Sequence, residues 1–146
     1  ADPAAYYASG TPPSADYCVE GVIHVHSIVS ANASVVVRFG TSANTGYIFQ
    51  LNNGTGCRTR KIVAGTQTTL GTEDTTTNIP TAGQSKTMKF CVSGTTLTPF
   101  VDGTQITSAT ATDSAISAAG RAGVRLVGAG SVSTGYHFTS VRAFTP

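Results

Sequence analysis

The chain has 146 residues, of which 11% are charged, and a formal net charge of +2. That length suits one domain, able to bury roughly two-thirds of its unfolded surface without help from metals or disulfides. The sparse charge, against a usual share of about 25%, leaves a neutral surface rich in hydroxyls. Nucleic acid is not an expected partner, because the nine Lys and Arg are scattered apart from Arg58, Arg60 and Lys61. No membrane contact is expected either, since no apolar run approaches the ~18 residues that span a bilayer.

The N-terminus, ADPAAYYASG, lacks the basic and apolar regions of a signal peptide, so the chain is expected to be soluble; its start at Ala1 leaves processing, and with it secretion, open. Residues 1–15, centred on Gly10-Thr11-Pro12-Pro13, predict an extended arm or linker that Tyr6 and Tyr7 could dock, and residues 16–146 the folded domain. From Tyr17, the alternation of Tyr17, Val19, Gly21, Ile23 and Val25 against Cys18, Glu20, Val22, His24 and His26 predicts a long strand with its first set inward. Val35, Val37 and Phe39 continue the inward pattern after a turn at 30–33, and Tyr47, Phe49 and Leu51 do so after a turn at 41–44.

Asn52-Asn53-Gly54-Thr55-Gly56 predicts a turn, 58–63 a strand, Ala64-Gly65 another turn, and a short strand then ends at Leu70. Residues 73–85 follow neither periodicity and are expected to form a crossover loop. Two hairpins are expected within 86–104. Met88, Phe90 and Val92 point inward, Ser93-Gly94 turns the chain, Leu97, Pro99 and Val101 resume the alternation, and Asp102-Gly103 readily supplies the positive φ of a two-residue turn. A connection at 113–120 has room for one helical turn, and strands at 121–127 and 136–144 close the chain. Ten or more short strands with turn signals every ~8–12 residues predict an all-β fold, an antiparallel sandwich or barrel.

Over about 16–144, the motifs DYCVE, VVVRFG, GYIFQLN, RKIVAGTQTTLGT, KFCVSGTTLTPFVDGT, ATDSAISAAGRAGVRL and YHFTSVRAF resemble, in order and spacing, the concanavalin A-like jelly-roll domains of laminin-G-like type. Domains of this kind are found in phage tail or capsid-surface proteins and in bacterial secreted proteins. The resemblance implies two packed antiparallel sheets, usually non-catalytic, that bind carbohydrate or partner protein or add bulk to an assembly. This chain departs from the pattern at Cys18 and Cys91, and it has no Trp, so Tyr, Phe and His are its only platforms for a sugar ring.

Glycoside hydrolysis needs two carboxylates about 5 to 9.5 Å apart. Glu20 and Glu73 are the only glutamates, and Asp102 and Asp113 read as turn formers, so no enzymatic activity is expected. His24 and His26 share one strand face, with Glu20 or His137 conceivable as a third ligand, but two histidines on a solvent face are more often plain surface residues and no metal site is expected. Calcium, the cofactor found in laminin-G-like domains, needs six to eight oxygens. Asp16, Asn52, Asn53, Asp74 and Asp113 are scattered, and no cofactor is expected.

With Tyr17, Val19, Met88 and Phe90 inward, Cys18 and Cys91 both face outward, which predicts a cross-strand disulfide or close thiol pair and leaves Cys57 unpaired. Nothing near Cys57 beyond Arg58 and Arg60 suggests a nucleophile. Arg58, Arg60 and Lys61 read first as a solvated strand face, with an anionic sugar or acidic partner as the functional alternative. Asn32-Ala33-Ser34 and Asn53-Gly54-Thr55 fit glycosylation sequons on turns.

The expectation is a non-catalytic structural or adhesive module on a virion or cell surface, or otherwise extracellular, packed in multiple copies against other virion or surface subunits through its N-terminal arm. The alternative is a carbohydrate-binding module using Tyr47 and Tyr136 as loop aromatics, with Asn52 and Asn53 as hydrogen-bonding partners. A glycoside hydrolase, the third reading, would require carboxylates that converge.

Overall fold

Strand-length alternation becomes two antiparallel sheets in the computed structural model, which describes residues 10–28, 31–40, 44–52, 55–128 and 133–146, together with the backbone of 5–7. The strands are β1 (Ala5–Tyr7), β2 (Tyr17–Val25), β3 (Ala31–Phe39), β4 (Gly46–Asn52), β5 (Gly56–Val63), β6 (Thr66–Asp74), β7 (Ser85–Ser93), β8 (Thr96–Val101), β9 (Thr104–Gln105), β10 (Ala111–Thr112), β11 (Arg121–Gly128) and β12 (Tyr136–Phe144). One sheet runs β1-β11-β3-β4-β5-β6; the other runs β10-β8-β7-β2-β12, with β9 pairing β8. This is the expected all-β sandwich.

Apolar burial between the sheets holds it together. Met88, Phe90 and Val92 of β7 are fully buried, as are Val19, Ile23 and Val25 of β2, and they meet Val35, Val37, Tyr47, Phe49 and Leu51 from β3 and β4. The rings of Phe49 and Phe90 lie 6.0 Å apart. Each such side chain removed from water contributes about 1.5–3 kcal/mol. The turns follow their residues: Ala64 (φ 48°) and Gly65 (φ 85°) join β5 to β6, and Asp102 (φ 50°) and Gly103 (φ 82°) join β8 to β9.

Four local expectations change. Residues 31–33 belong to β3 rather than to a turn, so Asn32 is paired with Val127 inside a ladder. The short helical turn found among the described residues is a 3-10 turn at Thr107–Ala109 and not in 113–120. Glu73 and Asp74, expected in a crossover loop, end β6. Ala5–Tyr7 of the arm extend the six-stranded sheet by pairing with Gly123–Arg125 of the same chain.

Phe39 is the fifth change. Alternation places it inward with Val35 and Val37, but Arg38 takes a left-handed φ of 51° beside a register shift between β3 and β11. The strand is locally re-aimed, as bulges do. Phe39 therefore joins Val36, Ile48 and Ile62 in a small apolar cluster on the outer face of the six-stranded sheet. Gly46 makes room for it, because a Cβ there would stand 2.5 Å from the ring and 2.8 Å from Phe39 Cα. Arg38 is turned aside to Asp16 (3.1 Å), with its other guanidinium and Nε donors on the carbonyls of Ile116 and Ala15.

Candidate functional site

The outer face of the β1-β11-β3-β4-β5-β6 sheet carries a group of planar polar side chains. Inward-facing Tyr47, Phe49 and Leu51 leave Ile48, Gln50 and Asn52 on the other side of β4, and the same alternation sends Arg58 and Arg60 outward from β5. Register then sets Ser34 of β3, Gln50 of β4 and Arg58 of β5 side by side. Glu73 reaches this group because β6 carries extra residues between the Thr59–Leu70 and Cys57–Asp74 pairs, a bulge at which Gly71 adopts φ 69°.

A continuous network results. Asn52 Nδ2 donates to Glu73 Oε1, Arg58 Nη1 donates to Glu73 Oε2 (3.3 Å), and Arg58 Nε donates to Gln50 Oε1 (3.1 Å). Arg60 Nη1 donates to Gln67 Oε1 at 2.7 Å. Gln50 and Asn52 form a buried floor, 2% and 4% exposed, while the Arg58 and Glu73 side chains remain 25% open to solvent. Among the described residues, the buried Ser34 Oγ, Asn52 Oδ1 and Arg60 Nε on this face find no hydrogen-bond partner. Buried polar groups are nearly always paired, so among the described residues two hydrogen-bonding capacities of opposite kind, an amide acceptor and a guanidinium donor, stand open.

The residues expected from sequence divide sharply. Asn52 is in the network. Asn53 lies outside the described residues. Tyr47 and Tyr136 are not loop platforms: both are 0% exposed in the core. Tyr47 donates its hydroxyl to Asp113 Oδ1 (2.6 Å) and accepts from the Ile116 amide (3.0 Å), and burial with the Asp113 hydrogen bond pushes its pKa up to about 12. The strand alternation itself carried this correction, because Tyr47 falls in phase with Phe49 and Leu51. The same periodicity would have found Gln50, Arg58 and Arg60 on the opposite side, but Glu73 depends on a bulge that the sequence does not announce.

Cys18 and Cys91, opposite one another on β2 and β7, form a disulfide with Cα atoms 4.0 Å apart. Cys57 is buried with a free thiol, and burial, with Asp74 and Glu73 nearby, pushes its pKa up to about 12, which leaves it inert as a nucleophile. His24, His26 and His137 do come together on the outer face of the other sheet, their ring centroids 4.6 to 5.4 Å apart, with His26 and His137 stacked. Among the described residues, no three His, Cys, Asp or Glu side chains are arranged to hold a metal ion.

The carboxylates are individually engaged. Glu20 pairs with Arg142 on the β10-β8-β7-β2-β12 sheet, Glu73 with Arg58 on the β1-β11-β3-β4-β5-β6 sheet, and Asp16 with Arg38. Lys61 points away from Arg58 and Arg60 to meet Asp113 at 2.6 Å, which divides the basic run between two faces. Burial opposes the charge on Asp74, yet side-chain hydrogen bonds from Thr77 and Asn78 and the amides of Thr76 and Thr77 outweigh it and hold the carboxyl well below its usual range. The carboxylates of Asp16, Asp74 and Asp113, considered for calcium, thus serve different local partners, and Asn52 joins the network through its Nδ2.

No protein-family profile matches the chain and no curated protein matches it in sequence. Solved structures do share its architecture. The carbohydrate-binding module CBM66 from Bacillus subtilis aligns over 93% of this chain and 76% of its own, with 17% identity and a TM-score of 0.71. Sheep galectin-11, in complex with glycerol, aligns over 99% and 100% with 18% identity and a TM-score of 0.65. Toad ovary galectin in complex with N-acetylgalactose aligns over 99% and 100% with 12% identity and a TM-score of 0.65. At these identities the likeness is one of fold: a jelly-roll β-sandwich of the concanavalin A-like kind.

Proposed function

We propose that the chain is a carbohydrate-binding module whose site is the polar network on the outer face of the six-stranded sheet. The observation that carries this reading is the buried Gln50 and Asn52 floor beneath the accessible Arg58–Glu73 pair, with Asn52 Oδ1 and Arg60 Nε finding no partner among the described residues. Sugar hydroxyls are both donors and acceptors. A rigid array of amide, carboxylate and guanidinium groups matches them with little reorganisation on binding. CBM66 is named for carbohydrate binding, and the toad galectin was solved with a sugar, both on this fold.

The role is binding rather than catalysis: Glu73 is committed to Arg58 and Asn52, with Glu20 on the other sheet. The Cys18–Cys91 bridge supports an oxidising setting, in keeping with display outside the cytoplasm. The backbone of Ala5–Tyr7 in the N-terminal arm pairs with β11 of its own chain.

The test is a glycan array probed with the intact chain and with Glu73→Gln. Glu73 is partly exposed, so the substitution removes the anchor of the network at little cost to the core. The expected result is a defined set of saccharide hits whose affinity falls about tenfold or more in the variant, since hydrogen bonds to a charged group contribute about 1.5–3 kcal/mol. An array without hits, or hits indifferent to the substitution, contradicts the proposal.

A further inference from the structure

Glu73 supplies the network with its carboxylate, and its place depends on a stretch of β6 that leaves the regular ladder. Thr59 pairs with Leu70 and Cys57 with Asp74, so Gly71, Thr72 and Glu73 all stand opposite Arg58. The extra length is taken up where Gly71 turns to φ 69°, a left-handed value that residues with a Cβ rarely adopt.

Gly71 also lies hard against a connection of the opposite sheet. A Cβ there would stand 3.0 Å from the Ser108 carbonyl oxygen, 3.1 Å from that of Thr110 and 3.3 Å from the Ala109 carbonyl carbon. These atoms belong to the 3-10 turn between β9 and β10 and to the residue that ends it. The turn is a firm wall. Ile106 and Ala109 anchor it in the core at 6% and 0% exposure, and the amides of Ala109 and Thr110 donate to the carbonyls of Ile106 (3.1 Å) and Thr107 (3.2 Å). Beyond Glu73 the strand is held again at Asp74, whose carboxylate accepts from Thr76, Thr77 and Asn78 and whose carbonyl occupies the space a Cβ on Gly56 would need. Glu73 lies between these two holds.

We propose, on the carbohydrate reading above, that Gly71 is a positioning residue of the site, acting through Glu73: lacking a Cβ, it lets the bulge lie against the 3-10 turn at the depth that brings the Glu73 carboxylate to Asn52 and Arg58. The wall on one side and the Asp74 turn on the other resist movement, so a side chain at position 71 displaces the bulge itself by a few tenths of an ångström. The Arg58–Glu73 bond has no slack for that shift, being 3.3 Å long against a usual ~2.9–3.0 Å. Contact between the two sheets thus sets where the site's carboxylate meets a ligand.

Two readouts test it, the first without ligand. In Gly71→Ala the side-chain amide resonances of Asn52 and the guanidinium resonances of Arg58 should move as they do in Glu73→Gln. Gly94→Ala is the control: φ there is also positive, at 55°, but nothing lies within 4 Å, and those resonances should stay in place. Gly71→Asn brings the same Cβ on a residue that tolerates left-handed φ, and it carries the test if the alanine variant does not fold. In the second readout, affinity for the tightest saccharide of the array should fall about tenfold in Gly71→Ala, with no further loss when Glu73→Gln is added, because both changes remove one contact. Unmoved resonances in a folded Gly71 variant, additive losses in the double variant, or an equal effect of Gly94→Ala overturn the positioning role and leave carbohydrate binding intact. Resonances that move in a chain that binds no saccharide uphold the placement of Glu73 and bring down the carbohydrate reading.

Discussion

His137 sits where burial and neighbours both oppose its charge. Its Nδ1 is buried without a partner, and the rings of His26 and His24 lie 4.9 and 5.4 Å from its own. Ser85 of β7 faces the group through its hydroxyl on His24 Nδ1, and the charged pair on the same sheet face, Glu20–Arg142, sits four residues along β2 from His24. Desolvation first, and repulsion from His26 and His24 second, lower the His137 pKa. Below the unfolded value of about 6.5, the unfolded chain therefore binds protons more readily than the folded one, so stability present above that pH is lost on acidification toward the folded pKa. The melting temperature should fall between pH 7.5 and pH 5, and His137→Gln should flatten the fall; an equal decline in both proteins would contradict this. Single residues were unevenly legible. The outward direction of Cys18 and Cys91 followed from period-two alternation, because both lie within regular strands. Phe39 did not, since one positive φ at Arg38 reverses its side and nothing in an arginine signals that conformation.

Between elements, the β2–β7 ladder is clipped by the Cys18–Cys91 bridge, which closes a sequence separation of 73 residues. A loop of that length removes chain entropy from the unfolded state equivalent to about 2–4 kcal/mol after allowance for native-state effects. Reduction should shift the urea midpoint down by a corresponding amount without unfolding the chain outright, since the apolar core between the sheets is untouched. A midpoint unchanged by reductant would show that the bridge does not constrain the unfolded chain. Strands and hairpin turns were legible wherever apolar residues alternate next to Ala64-Gly65 or Asp102-Gly103. The end of β6 was not. Thr-rich polar sequence around Glu73 hides a strand whose reason for existing is a bulged pairing with β5, a long-range fact absent from its local pattern.

Across the whole molecule, the two sheets divide their labour. The β10-β8-β7-β2-β12 sheet carries the disulfide and the histidine cluster on its outer face, whereas the outer face of β3 to β6 carries the hydrogen-bonding array. Composition and alternation disclosed the sandwich, and the resemblance to concanavalin A-like domains anticipated the architecture shared with CBM66 and the galectins. The location of the site was not disclosed, because looking for exposed aromatics led to Tyr47 and Tyr136, which the fold spends on its core. The central claim is that saccharide binds across β4, β5 and β6. Amide chemical-shift mapping during titration with an array-selected saccharide tests it most directly. The account predicts perturbations concentrated at Gln50, Asn52, Arg58, Arg60 and Glu73; perturbations confined to the groove of about 580 Å³ between Pro12, Pro13 and Phe144, or to the histidine face, would contradict it.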